Sequence, residues 1–292
     1  MIINGKELAL KIQETLKEQI SKFKTKPHLS IIQVGENSAS TIYVNNKIKA
    51  CENVGIYVQP LRMKTATPEE IKEIIKLLNE DPRVNGIIVQ LPLPEEMDEQ
   101  DIINTIKPEK DVDGLTSVNV GLSLQGTPYF ISATARGICE ILNHYNISTA
   151  GKRVVVVGRS NIVGKPIATL LMQRPYFSIP NLTPGLLGDA TVTVCHSKTQ
   201  ELGKITKEAD ILIVAAGCPG LIKNEMVKDG AVVIDVGINR VEGEGRKVVG
   251  DVDFEGVKDK VAFITPVPNG VGPMTVTSLL QNTVQAYVYQ HR

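Results

Sequence analysis

The chain has 292 residues, which is enough for two domains of roughly 100–150 residues each. Hydrophobic residues make up 42% and charged residues 22%, and 32 basic residues balance 32 acidic ones, as is typical of a globular protein. The chain lacks a basic excess, tryptophan and any run of about 18 to 20 apolar residues. These absences argue against nucleic-acid binding and against a membrane protein.

The first half of the chain alternates segments of helical periodicity with short apolar runs. These predict three helices and three strands in alternation: helix Ala9 to Phe23, strand Leu29 to Val34, helix Ser38 to Val54, strand Ile56 to Met63, helix Pro68 to Leu78 and strand Gly86 to Gln90. Residues Leu10, Leu16 and Ile20 are expected on the apolar stripe of the first helix. Repeated units of this kind predict a parallel sheet with helices on both faces.

A second alternating series follows from residue 135. Its predicted elements are a helix over 135–146, a strand over 153–157, a helix over 163–173, strands over 191–195, 211–215, 232–236 and 261–264, and a helix from Pro273 to Tyr289. The strand from Arg153 to Val157 is nearly pure valine, which is expected when both faces of a strand are buried. Residues 174–189 hold three prolines and two glycines without a period, and a surface loop is predicted there. We favour a tolerated insertion over a functional lid for this loop.

The cysteines and the first residues of the chain predict a cytoplasmic protein. Cys51, Cys139, Cys195 and Cys218 are far apart in sequence and form no C-x-x-C pair, so reduced thiols are predicted rather than a disulfide framework or a zinc site. No metal site is expected. The first residues include charges at short intervals and no apolar core of a secretory signal.

A glycine-containing turn after the valine strand predicts a dinucleotide site. The turn reads Gly158-Arg-Ser-Asn-Ile-Val-Gly164 and leads into a predicted helix. Such a turn points helix amides at a phosphate, and its glycines let the backbone approach the ligand. The spacing departs from G-x-G-x-x-G, so a plain strand–helix turn remains an alternative on the motif alone.

The residues after the next strand favour NADP over NAD. NAD enzymes typically place an acid there for the ribose hydroxyl, but the chain has Cys195-His-Ser-Lys-Thr199. Arg159, Ser197 and Lys198 are therefore candidates to receive a 2′-phosphate, and the alternative is that they are solvated surface residues. Small residues at 215–220 and in Asp235-Val-Gly-Ile238 follow two further strands, where a dinucleotide passes close to the backbone.

Four residues of the first half are candidates for chemistry. Tyr43 and Lys47 lie four apart on one predicted helix and share a face, although a lone helical lysine is usually solvated. Gln90 ends a buried strand, where α/β sheets place ligands, and it is equally compatible with a simple polar cap. Asp113 lies in Asp111-Val-Asp-Gly114, whose composition is also that of an ordinary turn.

Six segments taken together make the chain resemble the methylenetetrahydrofolate dehydrogenase / methenyltetrahydrofolate cyclohydrolase family over nearly its whole length. They contain the candidate residues in the family's order, and they are 34–47, 86–94, 110–114, 157–166, 249–252 and 264–275. The resemblance implies an α/β fold with an N-terminal αβα catalytic domain, a Rossmann-like cofactor domain and a C-terminal helix that returns to the first domain. We assign residues 1–134 plus 273–292 to the folate-binding domain and 135–272 to the NAD(P)-binding domain. The family is commonly a homodimer through the cofactor domains.

The resemblance also implies two reactions of one-carbon metabolism, a pathway that supplies purine biosynthesis. Methylenetetrahydrofolate gives a hydride to NADP, with NAD as the less favoured cofactor, and water then opens the methenyl cation to 10-formyltetrahydrofolate. The implied roles are stacking on the folate for Tyr43, the hydrolytic step for Lys47, support of that lysine for Gln90 and pterin binding for Asp113. Gly270 and Val271 are expected to line the folate site. The cofactor contacts are expected at Gly158, Arg159, Ser160, Ile162, Gly164, Ser197 and Ile238.

Two segments depart from the family pattern. The family usually has Pro-Cys-Thr-Pro where this chain has Ser132-Ala-Thr-Ala135, so a softer entry into the following helix is expected. Asn269 replaces the first glycine of the family's Pro-Gly-Gly-Val loop, and asparagine tolerates a positive φ better than other non-glycine residues. Two other functions stay open at this point, namely a dehydrogenase without cyclohydrolase activity and a catalytically silent nucleotide- or folate-binding protein.

Overall fold

A computed structural model describes residues 1–174, 182, 185–241 and 247–291, which form two compact units. The three-stranded unit combines Leu10–Ala133 with Val276–Arg292, and the five-stranded unit combines Met1–Ala9 with Thr134–Thr275. Most of the loop predicted over 174–189 lies outside the described residues.

The three-stranded unit is built on a parallel sheet. Its strand order is β2-β1-β3, and the unit includes parts of helices that also have residues in the other unit. The elements are α1 (Gly5–Ile20), β1 (His28–Val34), α2 (Ser38–Val54), β2 (Tyr57–Met63), α3 (Pro68–Glu80), β3 (Gly86–Val89), α4 (Glu99–Ile103), α5 (Ser117–Gln125) and, near the end of the chain, α10 (Val271–Gln290).

Helix α3 illustrates how the sequence produces these elements. The Thr67 hydroxyl accepts the Glu70 backbone N–H, and the Glu70 carboxylate accepts the Thr67 N–H at 2.8 Å, which forms a capping box. Pro68 occupies the first turn, where its missing N–H costs nothing. Ile71 and Ile75 then fall on one face and are fully buried under the sheet's apolar residues.

The five-stranded unit has a parallel sheet with strand order β10-β7-β6-β4-β5. Its elements are α6 (Ala133–His144), β4 (Arg153–Val157), α7 (Gly164–Met172), β5 (Thr191–Cys195), α8 (Leu202–Thr206), β6 (Ile211–Val214), β7 (Val232–Asp235), β8 (Asn239–Val241), β9 (Lys247–Val249), α9 (Phe254–Val257) and β10 (Phe263–Ile264). All four valines of β4 are buried, as the sequence predicts for a central parallel strand.

The predicted α/β class with parallel sheets is confirmed, and a few details differ. The first helix begins at Gly5 rather than Ala9, because the Asn4 side chain caps it by accepting the Glu7 N–H at 3.1 Å. Leu10, predicted on the apolar stripe, is 52% exposed. Helix α5 and the antiparallel hairpin of β8 and β9 escaped prediction, because they are short and have no clear period.

The first nine residues belong to the five-stranded unit because they pair with strand β10. The Ile3 N–H donates to the Ile264 carbonyl oxygen at 2.8 Å, and Ile2 forms a parallel bridge with Ile264. The folate-binding and cofactor-binding assignments of residues 1–134, 273–292 and 135–272 remain predictions about function.

Other expectations about the chain can be compared with the described residues. Within them, no helix is both long and apolar enough to cross a bilayer. The four cysteines are free thiols, three of them buried and Cys218 exposed. The described part of the chain also holds no group of three or more metal-ligating side chains.

Candidate functional site

Lys47 and Gln90 meet at the carboxyl-terminal edge of the three-stranded sheet. Helix α2 carries Lys47, and Gln90 directly follows strand β3. The Lys47 Nζ donates a hydrogen bond of 3.1 Å to the Gln90 Oε1. The Gln90 amide is fixed because its Nε2 donates to the Leu91 carbonyl oxygen at 2.7 Å and its backbone N–H donates to the Ile32 oxygen at 2.8 Å. A neutral amide therefore holds the lysine at the strand end.

Tyr43 lies one helical turn before Lys47 on α2. Val44 and Cys51 on the same helix are fully buried, whereas the Tyr43 side chain is 38% exposed and Lys47 is half-buried. The helix therefore turns its apolar stripe to the core and presents Tyr43 and Lys47 on a neighbouring, accessible face.

A turn after the third strand, residues 111–116, contains two aspartates with different surroundings; we call it the carboxylate turn. The buried Asp111 carboxylate accepts the backbone N–H groups of Leu115 at 3.2 Å and Thr116 at 2.8 Å, and the Asn119 Nδ2 at 2.8 Å. The buried Asp111 therefore stabilises the turn through its hydrogen bonds, whereas Asp113 in the same turn is half-buried.

The carboxyl group of Asp113 is desolvated and near Lys47. Burial raises the pKa of Asp113, the negative charge of Asp111 adds to that shift, and the positive charge of Lys47 opposes it. No hydrogen bond from the described part of the chain reaches the Asp113 carboxylate. Its acceptor capacity is therefore available to N–H donors of a ligand.

Two buried polar side chains that sequence reasoning missed support the carboxylate turn. The Lys110 Nζ donates to the Leu78 carbonyl oxygen at the end of α3, at 3.0 Å. From helix α10, the Asn282 Nδ2 donates to the Val112 oxygen at 2.8 Å and the Ile131 oxygen at 3.0 Å. A polar residue in an apolar helix is a sequence signal for such a contact, but it does not identify the partner.

Gly270 and Val271, predicted to line the folate site, are located in the five-stranded unit. They lie at the start of α10, and Val271 is buried. Asn269 adopts the left-handed conformation, with φ of 79°, which the sequence suggests asparagine can tolerate there. Its carbonyl oxygen accepts the Lys6 N–H at 3.0 Å, which anchors this loop to the start of α1.

The turn after β4 has the close backbone approach expected of a phosphate cradle. Gly158 has φ of 123°, and a Cβ there would lie 2.1 Å from the Ala215 carbonyl oxygen. A Cβ at Gly164 would lie 2.1 Å from the Gly158 oxygen, so both positions require glycine. At the start of α7, the Ser160 Oγ accepts the N–H groups of Val163 at 3.2 Å and Gly164 at 3.5 Å. These amides mark a helix N-terminus suited to an anion.

The remaining predicted cofactor residues surround this turn. Arg159 is exposed on it, and Ile162 is exposed to 44%. Strand β5 pairs with β4, so the turn with the exposed Ser197 and Lys198 ends at the same sheet edge. Ile238 follows β7, and its side chain is 46% exposed.

Asp235 and Asp251 at the same edge were missed as structural organisers. Asp235 ends β7, is buried, and accepts the N–H groups of Gly237 at 2.9 Å and of Asp251 and Val252 at 3.0 Å. Burial raises the pKa of Asp235 to about 6, although these amides lower it. The available sequence signals were an aspartate at the end of an apolar strand, at Asp235, and an aspartate after glycine, at Asp251.

Two family models together match nearly the whole chain. The NAD(P)-binding domain of tetrahydrofolate dehydrogenase/cyclohydrolase matches residues 132–291, and the catalytic domain of the same family matches residues 3–113. The second match contains the Lys47, Gln90 and Asp113 group, and the first contains the Gly158 turn.

Individual relatives agree with these matches along the full length. The bifunctional protein FolD of Maridesulfovibrio salexigens is 50% identical over 98% of this chain and 97% of its own, and that of Moorella thermoacetica is 48% identical over 98% of each. The crystal structure of FolD from Campylobacter jejuni is 44% identical and covers 99% of both chains with a TM-score of 0.91. A Trypanosoma brucei FolD structure, complexed with NADP cofactor and an inhibitor, is 37% identical, covers 100% of this chain and 98% of its own, and has a TM-score of 0.90. This chain belongs to the tetrahydrofolate dehydrogenase/cyclohydrolase family.

Proposed function

We propose that this protein oxidises 5,10-methylenetetrahydrofolate with NADP⁺ and hydrolyses the methenyl product to 10-formyltetrahydrofolate. The observation that carries the proposal is the Lys47–Gln90 hydrogen bond of 3.1 Å beside the desolvated carboxyl of Asp113. This group supplies a proton acceptor and a folate anchor at one sheet edge. Family membership and the glycine cradle after β4 support the oxidative half.

The cradle after β4 fits a dinucleotide. Side chains at Gly158 and Gly164 would collide with backbone oxygens, so the backbone there is shaped for close approach. Ser160 and the first amides of α7 would hold the pyrophosphate, and Arg159 with Ser197 would hold the 2′-phosphate. The exposed side chains of Ile162 and Ile238 would cover apolar parts of the cofactor. When bound, NADP⁺ accepts the hydride.

The oxidative step requires positioning more than proton transfer. The reacting carbon of the folate lies between two nitrogens, whose lone pairs stabilise the cation that remains after the hydride leaves. The chain therefore has to hold folate in line with the cofactor. Tyr43 would stack on the folate, the Asp113 carboxylate would accept pterin N–H donors, and Gly270 and Val271 would line the site.

The hydrolytic step requires a base, and Lys47 is placed for it. Water adds to the methenyl carbon, and one of its protons passes to the Lys47 amine. The bond from that carbon to N5 then breaks, N5 takes the second proton of the water, and the formyl group stays on N10. Gln90 fixes the position of the amine through its Oε1.

The decisive experiment mixes the purified protein with methylenetetrahydrofolate and either NADP⁺ or NAD⁺. Absorbance of the reduced cofactor reports the oxidation, and absorbance of the methenyl product after an acid quench reports total one-carbon turnover. Separately supplied methenyltetrahydrofolate tests the hydrolysis. Oxidation without hydrolysis would leave a dehydrogenase only, and no turnover in either assay would leave a binding protein.

We also propose a cytoplasmic homodimer that serves one-carbon metabolism and purine biosynthesis. Strand β5 supports the dimer, because it ends the five-stranded sheet and exposes Thr191, Thr193 and 40% of Val194. An exposed apolar edge strand is a ready surface for pairing with a second copy. Light scattering after gel filtration should give twice the mass of 31.8 kDa, and Val194→Lys should give the monomer mass.

A further inference from the structure

The loop after β6 folds around a carboxylate of the protein itself. The N–H groups of Ala216, Gly217 and Cys218 point at the Asp251 carboxylate, with distances of 2.6, 2.9 and 2.9 Å. Gly217 has φ of 65°, and successive amides in such a conformation form a concave anion site. Asp251 is fully buried and fills that site.

The same carboxylate also holds the loop after β7. The Asn239 Nδ2 donates to the Asp251 Oδ1 at 2.8 Å, and Asn239 follows the exposed Ile238. Asp235 supports the arrangement from below, since its Oδ1 accepts both the Asp251 N–H and the Gly237 N–H. Two loops from neighbouring strands are therefore fixed by one side chain.

Two groups of backbone amides lie at this sheet edge, one at the Gly158 turn and one in the loop after β6, and they have different partners. At the Gly158 turn, the amides of Val163 and Gly164 face the neutral Ser160 hydroxyl, at 3.2 and 3.5 Å, and a phosphate can replace this hydroxyl. The amides of the loop after β6 already have the Asp251 carboxylate as their partner. The second cluster is therefore closed to phosphate and serves to shape the backbone.

The order of the strands indicates which part of the cofactor the two loops meet. Strand β5 lies on one side of β4 and carries Ser197, the candidate for the 2′-phosphate, whereas β6 and β7 lie on the other side. A dinucleotide with its pyrophosphate at the β4 turn extends its second half over β6 and β7.

We propose that Asp251 is a positioning residue for hydride transfer, which fixes the loops 215–218 and 237–239 as the wall against which the nicotinamide half of the cofactor is held. The proposal rests on the proposed function. It assigns Asp251 no contact with the reacting atoms, because its hydrogen bonds run to the loop amides and to Asn239.

Asp251→Asn tests the proposal, because it keeps the size of the side chain and turns one acceptor oxygen into a donor that faces other donors. The dehydrogenase kcat/KM for NADP⁺ should fall by about 10²-fold, the loss expected when a reacting group is misplaced by about 1 Å. Binding of adenosine 2′,5′-bisphosphate should stay within about twofold of the wild-type value, because this ligand lacks the nicotinamide half that the two loops hold. Hydrolysis of methenyltetrahydrofolate should be unchanged.

Asp253→Asn is the matched control. Asp253 caps helix α9 through the Gly256 N–H and lies 3.8 Å from the Lys223 Nζ, and it contacts neither loop. The control should lower thermal stability slightly and leave every cofactor measurement at the wild-type value.

Asn239→Ala is a second test of the same role, in case Asp251→Asn does not fold. It removes one of the four donors and should lower the dehydrogenase kcat/KM severalfold, again without an effect on adenosine 2′,5′-bisphosphate. Folded variants with wild-type NADP⁺ kinetics, or with equal losses for both ligands, would overturn the positioning role. Failure of the proposed function is a separate result, since it would appear as an inactive wild-type protein.

Discussion

Asp113 and Asp251 are carboxylates at the sheet edge of different units, and their hydrogen bonds differ. Asp251 accepts four hydrogen bonds, from three backbone N–H groups and the Asn239 amide. The Asp113 carboxylate receives none from the residues that the structure describes. A saturated carboxylate shapes the backbone around it, whereas an unsaturated one retains its acceptors for a ligand.

The difference has a thermodynamic consequence for Asp113. Because burial raises its pKa, the folded chain binds a proton at this site more tightly than the unfolded chain does. Stability from this group is then present at low pH and is lost as the pH rises through the unfolded and the folded pKa. Wherever Asp113 is ionised it therefore destabilises the unliganded protein, which is a pattern expected of a binding residue rather than a structural one.

Lys47→Met should give the largest effect and tests the chemistry at the unsaturated edge. The change keeps the apolar stem and removes the amine, so hydrolysis of methenyltetrahydrofolate should fall by about 10²-fold or more, the usual contribution of a general base. Oxidation should be largely retained, and the methenyl product should accumulate in the two-wavelength assay.

Lys49→Met provides the control for this variant. Lys49 is exposed on the same helix α2, two residues further along, and should leave both rates unchanged. Near wild-type hydrolysis in Lys47→Met would mean that Lys47 is an ordinary surface lysine.

Asp113→Asn should depress both reactions together by about 10- to 100-fold, because each charge-assisted hydrogen bond to the pterin contributes about 1.5–3 kcal/mol. Its melting temperature should be equal to or above that of the wild type, and the difference should widen as the pH rises, since the substitution removes a desolvated group that can ionise. Asp111→Asn should do the opposite to stability and lower it by about 1–3 kcal/mol, because the carboxamide keeps one acceptor oxygen and turns the other into a donor that faces buried N–H donors. Equal destabilisation by both changes would remove the distinction between the two residues.

The pH dependence of folate binding sharpens the same test. Protonation removes the acceptor, so the KM for methylenetetrahydrofolate should rise as the pH falls toward the raised pKa of Asp113. In Asp113→Asn the KM should be higher and flat over this window. A rise of the same size in the variant would assign the titration to another group or to the substrate.

Arg159→Ala tests the candidate anion site after β4 in the five-stranded unit. Loss of charge-assisted hydrogen bonds worth about 1.5–3 kcal/mol should raise the KM for NADP⁺ by about one to two decades and change that for NAD⁺ much less. Arg153→Ala is the control, because Arg153 is an exposed arginine at the start of β4, at the end away from the Gly158 turn, and it pairs with Glu208 at 3.0 Å. Equal effects on both cofactors would show that Arg159 does not recognise the 2′-phosphate.

The sequence could predict those features of the fold and the site that depend on residues close together in the chain. Features set by neighbours in the chain were predictable: the valines of β4, the alternation of helix and strand, and the glycine turn at Gly158. These signals are local because a strand, a capped helix and a tight turn each depend on a few consecutive residues. Local capping also explains the misplaced start of α1, since the cap at Asn4 precedes the periodic segment.

Contacts between distant segments were not predictable from one sequence. Asn282 holds the oxygen of Val112 from 170 residues away, and Asp251 holds the amide of Ala216 from 35 residues away. Only the fold brings such partners together, and a buried polar residue reveals that a partner exists without naming it. The sequence likewise could not predict that the Asp113 carboxylate keeps its acceptors available, because this depends on where the fold places the surrounding donors.

Substitution of Asn269 should give the smallest effect. It tests whether the loop before α10 requires a residue that tolerates a positive φ. Asn269 stands where the family usually has glycine, and its φ of 79° is already left-handed. Asn269→Gly should therefore leave both activities within about twofold of the wild type, because the backbone geometry is retained. Asn269→Ala should lower the free energy of unfolding by about 1 kcal/mol, since alanine has neither glycine's freedom nor asparagine's tolerance of this region. Urea unfolding measures the difference, and an alanine variant as stable as the wild type would show that the loop relaxes out of the left-handed conformation.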